Sequence, residues 1–142
     1  MSSIPTDWIA LDTNQFVFAV RGNGNYPACE PLFFRHIEKL RIYIPLQVVI
    51  ELNHNLFPDE LRIIRTNVQR AAAVHWDTTL ADQSLIDWYM ARGAKKGDAA
   101  VAAQVQFAGV RWLVSENRHF LQEIPQLPFK VISAQQALEM LK

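Results

Sequence analysis

Trp8-Ile9-Ala10-Leu11-Asp12-Thr13-Asn14 is a short apolar run that stops abruptly on three polar residues. A run of that length without alternation reads as a strand buried on both faces, and the polar stop reads as a loop at its carboxyl end. The same arrangement returns late in the chain, where Val110-Arg111-Trp112-Leu113-Val114 runs into Ser115-Glu116-Asn117. Open α/β sheets bind ligands beyond the carboxyl ends of their strands, so Asp12 and the Ser115 loop both fall where a site is expected.

Between these strands the periodicity alternates. A helix is expected over 15–20, after which Arg21-Gly22-Asn23-Gly24-Asn25-Tyr26-Pro27 concentrates turn formers in an exposed loop. Pro31 opens a second helix carrying Leu32, Phe33, Ile37 and Leu40, and Arg41-Ile42-Tyr43-Ile44 reads as a strand. Pro45 suits the first turn of a helix whose Leu46, Val49, Leu52 and Leu56 form an apolar face, with Gln47, Glu51, His54 and Asn55 on another. A helix restarts at Pro58-Asp59 with Asp59 as its cap, buries Leu61, Ile64, Val68 and Ala72, and gives way to a brief strand at Val74-His75-Trp76. Helices follow over 80–92, ending near Gly93, and over 99–108, the latter alanine-rich and closed by Gly109. Phe129-Lys130-Val131-Ile132 is the last strand, and Ser133 caps a final helix with Ala137, Leu138 and Leu141 inward. Strands separated by helices imply a mostly parallel sheet covered on both faces, because parallel neighbours need crossovers that are usually helical and right-handed.

The chain has 142 residues, half of them apolar, which suits one domain over 1–142 with a single core. Fourteen basic residues balance fourteen acidic ones, so a nucleic acid would be held by a local patch or a metal, not by the overall field. A lone cysteine, Cys29, makes no internal disulfide, and neither a signal peptide nor a membrane-length apolar run is visible. A cytoplasmic protein with no membrane association is expected. Trp8, Trp76, Trp88 and Trp112 stand in apolar stretches and are expected in the core, which leaves Tyr26 as the base-stacking candidate.

Carboxylates brought together raise one another's proton affinity unless a cation lies between them. Mg²⁺ and Mn²⁺ prefer oxygen ligands, keep several waters and are commonly shared between one or two carboxylates and a substrate phosphate. Such an ion can activate water against phosphorus, which points to phosphodiester hydrolysis. The zinc-type Cys/His spacing, the phosphate-binding glycine loop and the glycine-framed serine nucleophile are all missing from the sequence.

Leu11-Asp12-Thr13-Asn14, Glu51 on the helix after the second strand, Gly97-Asp98-Ala99-Ala100 and Leu113-Val114-Ser115-Glu116-Asn117-Arg118-His119-Phe120 together resemble the four motifs of PIN-domain proteins. The resemblance spans nearly the whole chain. It implies an α/β/α three-layer sandwich with a five-stranded parallel sheet in the order 3-2-1-4-5, and a metal-dependent endoribonuclease using Mg²⁺ or Mn²⁺. It further implies kinship with VapC-type toxins, hence RNA as substrate, a small antitoxin as partner and a homodimer. Carried over by position, Asp12, Glu51 and Asp98 are the metal-binding and water-positioning acids. The fourth motif departs from the pattern, since Asn117 stands on the usual acid and His119 on a second. An amide oxygen can still ligate a hard cation. Asn14, Ser115, Glu116 and Arg118 are supporting or substrate-contacting candidates, with Glu116 ranked below Asn117.

Each residue has a plainer reading. Taken alone, Asp12 reads as closing its own turn, Glu51 as a solvated helix residue, and Asp98 as the N-cap of the alanine-rich helix. Two further readings compete for the whole: a catalytically impaired PIN-like module that binds RNA or protein, and a phospho-acceptor regulator, disfavoured because no fitting lysine follows a late strand.

Overall fold

β1 (Trp8–Leu11) is the middle of the sheet, with Ile9 and Ala10 fully buried and Leu11 nearly so. The computed structural model, which describes residues 7–117 and 124–141, continues through α1 (Thr13–Arg21), α2 (Cys29–Phe34) and a 3-10 turn (Ile37–Lys39) into β2 (Arg41–Ile44). Next come α3 (Leu46–Asn55), α4 (Pro58–Val68) and β3 (Ala73–Trp76). α5 (Gln83–Met90) and α6 (Lys96–Ala108) lead to β4 (Trp112–Val114), and β5 (Lys130–Ile132) is followed by α7 (Ala134–Met140).

All four strand pairings are parallel, in the order β3-β2-β1-β4-β5. Ile9 is registered against Ile42 of β2 on one side and Trp112 of β4 on the other. The chain therefore leaves β1 in one direction and returns on its opposite side, so the carboxyl ends of β1 and β4 flank the point where strand order reverses. With right-handed crossovers, the connections toward β3 lay α1 to α4 on one face and the return to β4 lays α5 and α6 on the other. Within the faces α1 touches α2, α3 and α4, α5 touches α6, and α7 returns to α2, while α3 and α6 meet each other between the two faces.

α6 is buried on nearly all sides, from Ala99 through Val105. Small side chains let it lie close to the sheet, and Gly109, at φ 71°, closes it in the left-handed conformation that glycine tolerates. Its Gln104 side chain accepts the backbone N–H of Gln47 at 3.0 Å, capping α3 from a neighbouring helix. Ser133 caps α7 as expected, accepting from Gln136 N while Gln136 returns a bond to Ser133 N.

Several local expectations are corrected. The helix expected to open at Pro31 and run to Leu40 begins at Cys29 and ends at Phe34, and the separate 3-10 turn buries Ile37 and delivers Leu40 to β2. Asp59 is not the cap of α4: it lies inside the first turn, and Glu60 accepts from Phe57 N at 2.9 Å. The helix expected over 80–92 is shorter, because Asp82 caps it by accepting from Ser84 N. The tryptophans are not in the core: Trp8 is 37% and Trp88 40% exposed, and Trp76 and Trp112 are half-buried. Their polar indole edges favour the rim, where Trp112 donates to Asp7 at 3.1 Å and Trp88 lies under the Arg92 guanidinium.

Burial predicts where stability resides. Ile42→Ala, at a fully buried position in β2, is expected to cost about 2–5 kcal/mol in urea denaturation, whereas Ile63→Ala, on the exposed face of α4, should change stability by no more than about 0.5 kcal/mol.

Candidate active site

Asp12 follows β1 directly and occupies the N-cap of α1. One carboxylate oxygen accepts from Thr13 N and the other from the Ser115 hydroxyl, each at 2.8 Å. The turn-closing reading of Asp12 is thus correct as local structure, yet it uses only one oxygen. The second oxygen is tied to the end of β4, whose own position is fixed by Asp12 N bonding to Val114 O at 3.0 Å.

Glu51 arrives from the flank of α3, which packs against both α1 and α6. Its carboxylate takes the Thr13 hydroxyl on one oxygen and the Gln47 amide, at 3.1 Å, on the other. Gly97, in the first turn of α6, approaches so closely that a Cβ there would lie 2.9 Å from Glu51 Oε2. Asp98 is the next residue. The N-cap position of α6 belongs to Lys95, so Asp98 lies inside the helix, and its carboxylate instead accepts from Asn117 Nδ2 at 3.3 Å. Asn117 is held in turn by its backbone N–H on the Ser115 hydroxyl, at 3.1 Å.

Three carboxylates from β1's end, α3 and α6 therefore converge, and their electrostatics register it. Burial pushes the Asp12 carboxyl above its ordinary range, the Ser115 and Thr13 hydrogen bonds work against that, and the charge of Glu51 adds to it. Asp98 is raised to about 6, by burial first and then by the charges of Asp12 and Glu51, with Lys95 and Asn117 opposing. Such perturbation by like charges is common where a cation is to be bound. Among the described residues, no three His, Cys, Asp or Glu side chains form a ready-made ligand cluster. The donors present are hard oxygens, those of Asp12 and Asp98 with raised proton affinity, which fit an ion that takes one or two carboxylates directly and keeps its waters.

Of the other candidates, Asn14 is exposed on the first turn of α1 and Arg118 lies outside the described residues. Glu116 turns away from the carboxylates and accepts from Ala134 N at 3.0 Å. Arg21 is engaged by Glu60, at 2.7 Å, and Tyr26 stacks on Phe18 with ring centroids 5.0 Å apart. Thr13, Gln47 and Gly97 were not singled out by sequence. Thr13 and Gln47 could have been suspected as polar residues near Asp12 and Glu51, but Gly97's close approach has no local signature.

The raised acids fix a sign. Between about pH 4 and 6 folded metal-free protein holds an Asp98 proton that the unfolded chain releases, so this group's contribution to stability falls as pH rises through that window. Asp98→Asn in EDTA is expected to be more stable than wild type near pH 7.5, with the gap narrowing toward about pH 4.5; equal gaps would contradict the assignment.

No family model and no curated protein matches the chain. Solved structures do match. VapBC2 from Rickettsia felis, bound to a DNA fragment from their promoter, is similar with a TM-score of 0.60 and 14% identity, over 89% of this chain and 98% of that one. PAE2754 from Pyrobaculum aerophilum is similar with a TM-score of 0.50 and 14% identity, over 99% of this chain and 98% of that one. At such identity the likeness is one of fold. Together with the 3-2-1-4-5 parallel sheet, it establishes that the chain has a PIN-like fold of the VapC type.

Proposed function

We propose that the protein is a metal-dependent endoribonuclease whose centre is Asp12, Glu51, Asp98 and Asn117. The observation that carries this reading is the convergence of three carboxylates, from separate elements, at the carboxyl ends of β1 and β4, where burial first and then their neighbouring charges raise the proton affinity of Asp12 and Asp98. Structural acids are seldom gathered in this way without a cation, since their mutual repulsion opposes folding.

Asp12 and Asp98 are the principal ligands for Mg²⁺ or Mn²⁺, with Glu51 as ligand or water-positioning base and Asn117 as a further ligand, directly or through water. When bound, the ion would activate water and neutralise charge on the phosphoryl oxygens. The chain's own groups do the positioning. Ser115 and Thr13 N hold the two oxygens of Asp12, while the Thr13 hydroxyl and Gln47 hold those of Glu51. Asn117 donates its side-chain amide to Asp98 at 3.3 Å. Its amide is neutral, so a metal here meets one fewer negative charge than a fourth carboxylate would supply.

The VapC-type fold supports a role in a toxin–antitoxin pair, with RNA as substrate, a small antitoxin as inhibitor and a homodimeric assembly in the cytoplasm. Among the described residues no helix is long and apolar enough to cross a membrane.

The reading is tested by incubating a mixed pool of labelled RNAs with purified protein and Mg²⁺, Mn²⁺ or EDTA, beside an Asp12→Asn/Asp98→Asn variant purified identically. Metal-dependent cutting that vanishes in the variant is expected. Equal cutting by both would expose a contaminant, and RNA binding with no cutting by either would favour the binding-only module. Gly97→Ala separates function from folding. Its Cβ would displace the Glu51 carboxylate, a flexible side-chain end, so cleavage should fall about tenfold or more while stability changes by no more than about 1 kcal/mol in urea denaturation.

A further inference from the structure

Glu116 stands in the chain between Ser115 and Asn117, two residues that touch the candidate centre, yet its own side chain faces the opposite way. One oxygen, Oε1, accepts from Ala134 N at 3.0 Å, from Gln15 Nε2 at 3.4 Å and from the Cys29 thiol at 3.8 Å. The Cys29 thiol also reaches Gln15 Oε1 at 3.5 Å, which closes the network. α1, α2 and the start of α7 thus meet on a single carboxylate oxygen. These partners are buried, with Gln15 at 2%, Cys29 at 1% and Ala134 at 0% exposure. Cys29 serves there as a neutral donor, because burial and the adjacent Glu116 charge push its thiol up to about 12.

On the other side of the same short loop, the Ser115 hydroxyl gives its proton to Asp12 and accepts from Asn117 N, and Asn117 reaches Asp98. Asn117 is exposed and has little packing to restrain it. Ser115 itself is buried and bonded to β5, its N–H on Ile132 O at 2.9 Å, and beyond it the Glu116 network holds the loop from behind. We propose that Glu116 is a positioning residue: pinned by Gln15, Cys29 and Ala134, it fixes the loop so that Ser115 orients Asp12 and Asn117 orients Asp98 for a divalent cation. The proposal rests on the metal-centre reading above for its functional half, whereas the anchoring of the loop can be measured without any metal. Groups that orient metal ligands from behind commonly change affinity 10–100-fold when removed, which sets the scale of the effect.

The test uses the whole 142-residue chain as wild type, Glu116→Ala, Glu116→Gln and Asp82→Ala. Asp82→Ala removes the cap of α5, outside the Glu116 network, so it reports what loss of a helix cap does by itself. Two readouts are taken on folded protein: amide hydrogen exchange at Asn117 without metal, and Mn²⁺ affinity by water-proton relaxation. Glu116→Ala should speed exchange at Asn117 and weaken Mn²⁺ binding about tenfold or more. Glu116→Gln, which keeps an accepting oxygen, should stay close to wild type, and Asp82→Ala should keep wild-type values in both. Unchanged exchange and affinity in Glu116→Ala, or equal losses in Asp82→Ala, would overturn the proposal. If wild type binds no Mn²⁺, the metal-centre reading fails and exchange alone decides whether Glu116 anchors the loop. Should Glu116→Ala not fold, Gln15→Ala removes a donor to the same oxygen and is expected to move both readouts in the same direction.

Discussion

Burial of the Asp12 and Asp98 carboxylates beside Glu51, with the charge the three share, is the constraint on which the site depends. Each carboxylate comes from a different element, and each would move toward water and away from its neighbours if free to do so. Hydrogen bonds from Thr13, Ser115, Gln47 and Asn117 oppose that, and they arise from elements fixed by the sheet order. The strand order matters chemically for this reason: β4 lies beside β1, so Ser115 can reach Asp12. Were another strand between them, the loop could not serve the site.

Stability is drawn from elsewhere. β1 and β2 are buried, α6 is sheathed in alanine, and Gln104 ties α3 to α6 behind the acids. That core holds in place a group of acids in which burial raises the proton affinity of Asp12 and Asp98. Gly97 shows the compromise at one residue. A larger side chain would suit a helix better, yet only glycine leaves the Glu51 carboxylate its space.

Much of this was legible in the sequence because it is governed by local pattern. The β1 and β2 boundaries follow from unbroken apolar runs that stop on polar residues or proline, and the Gly109 and Ser133 helix ends follow from backbone chemistry. Asp12 and the Ser115 loop stood out because polar residues end apolar runs there, whereas Glu51, Asp98 and Asn117 were singled out by the resemblance to PIN-domain motifs. What the sequence left open depends on tertiary position. Asp98 could be read as a helix cap until the first turn of α6 was seen to begin before it. Glu116 is chemically as good a ligand as its neighbours, and only the nearness of Ala134 and Gln15 turns it away. The tryptophans looked like core by composition, but their amphipathic rings settled at the rim.

The most direct measurement is the titration of the Asp98 side-chain carboxyl by carbon NMR in metal-free protein, alone and with Asp12→Asn. If the acids face one another as described, Asp98 titrates near 6 in the wild type and lower in the variant, and saturating Mg²⁺ lowers it further. A wild-type Asp98 that titrates near the ordinary value of 3.8, unmoved by the Asp12 substitution and by Mg²⁺, would contradict the shared acidic centre.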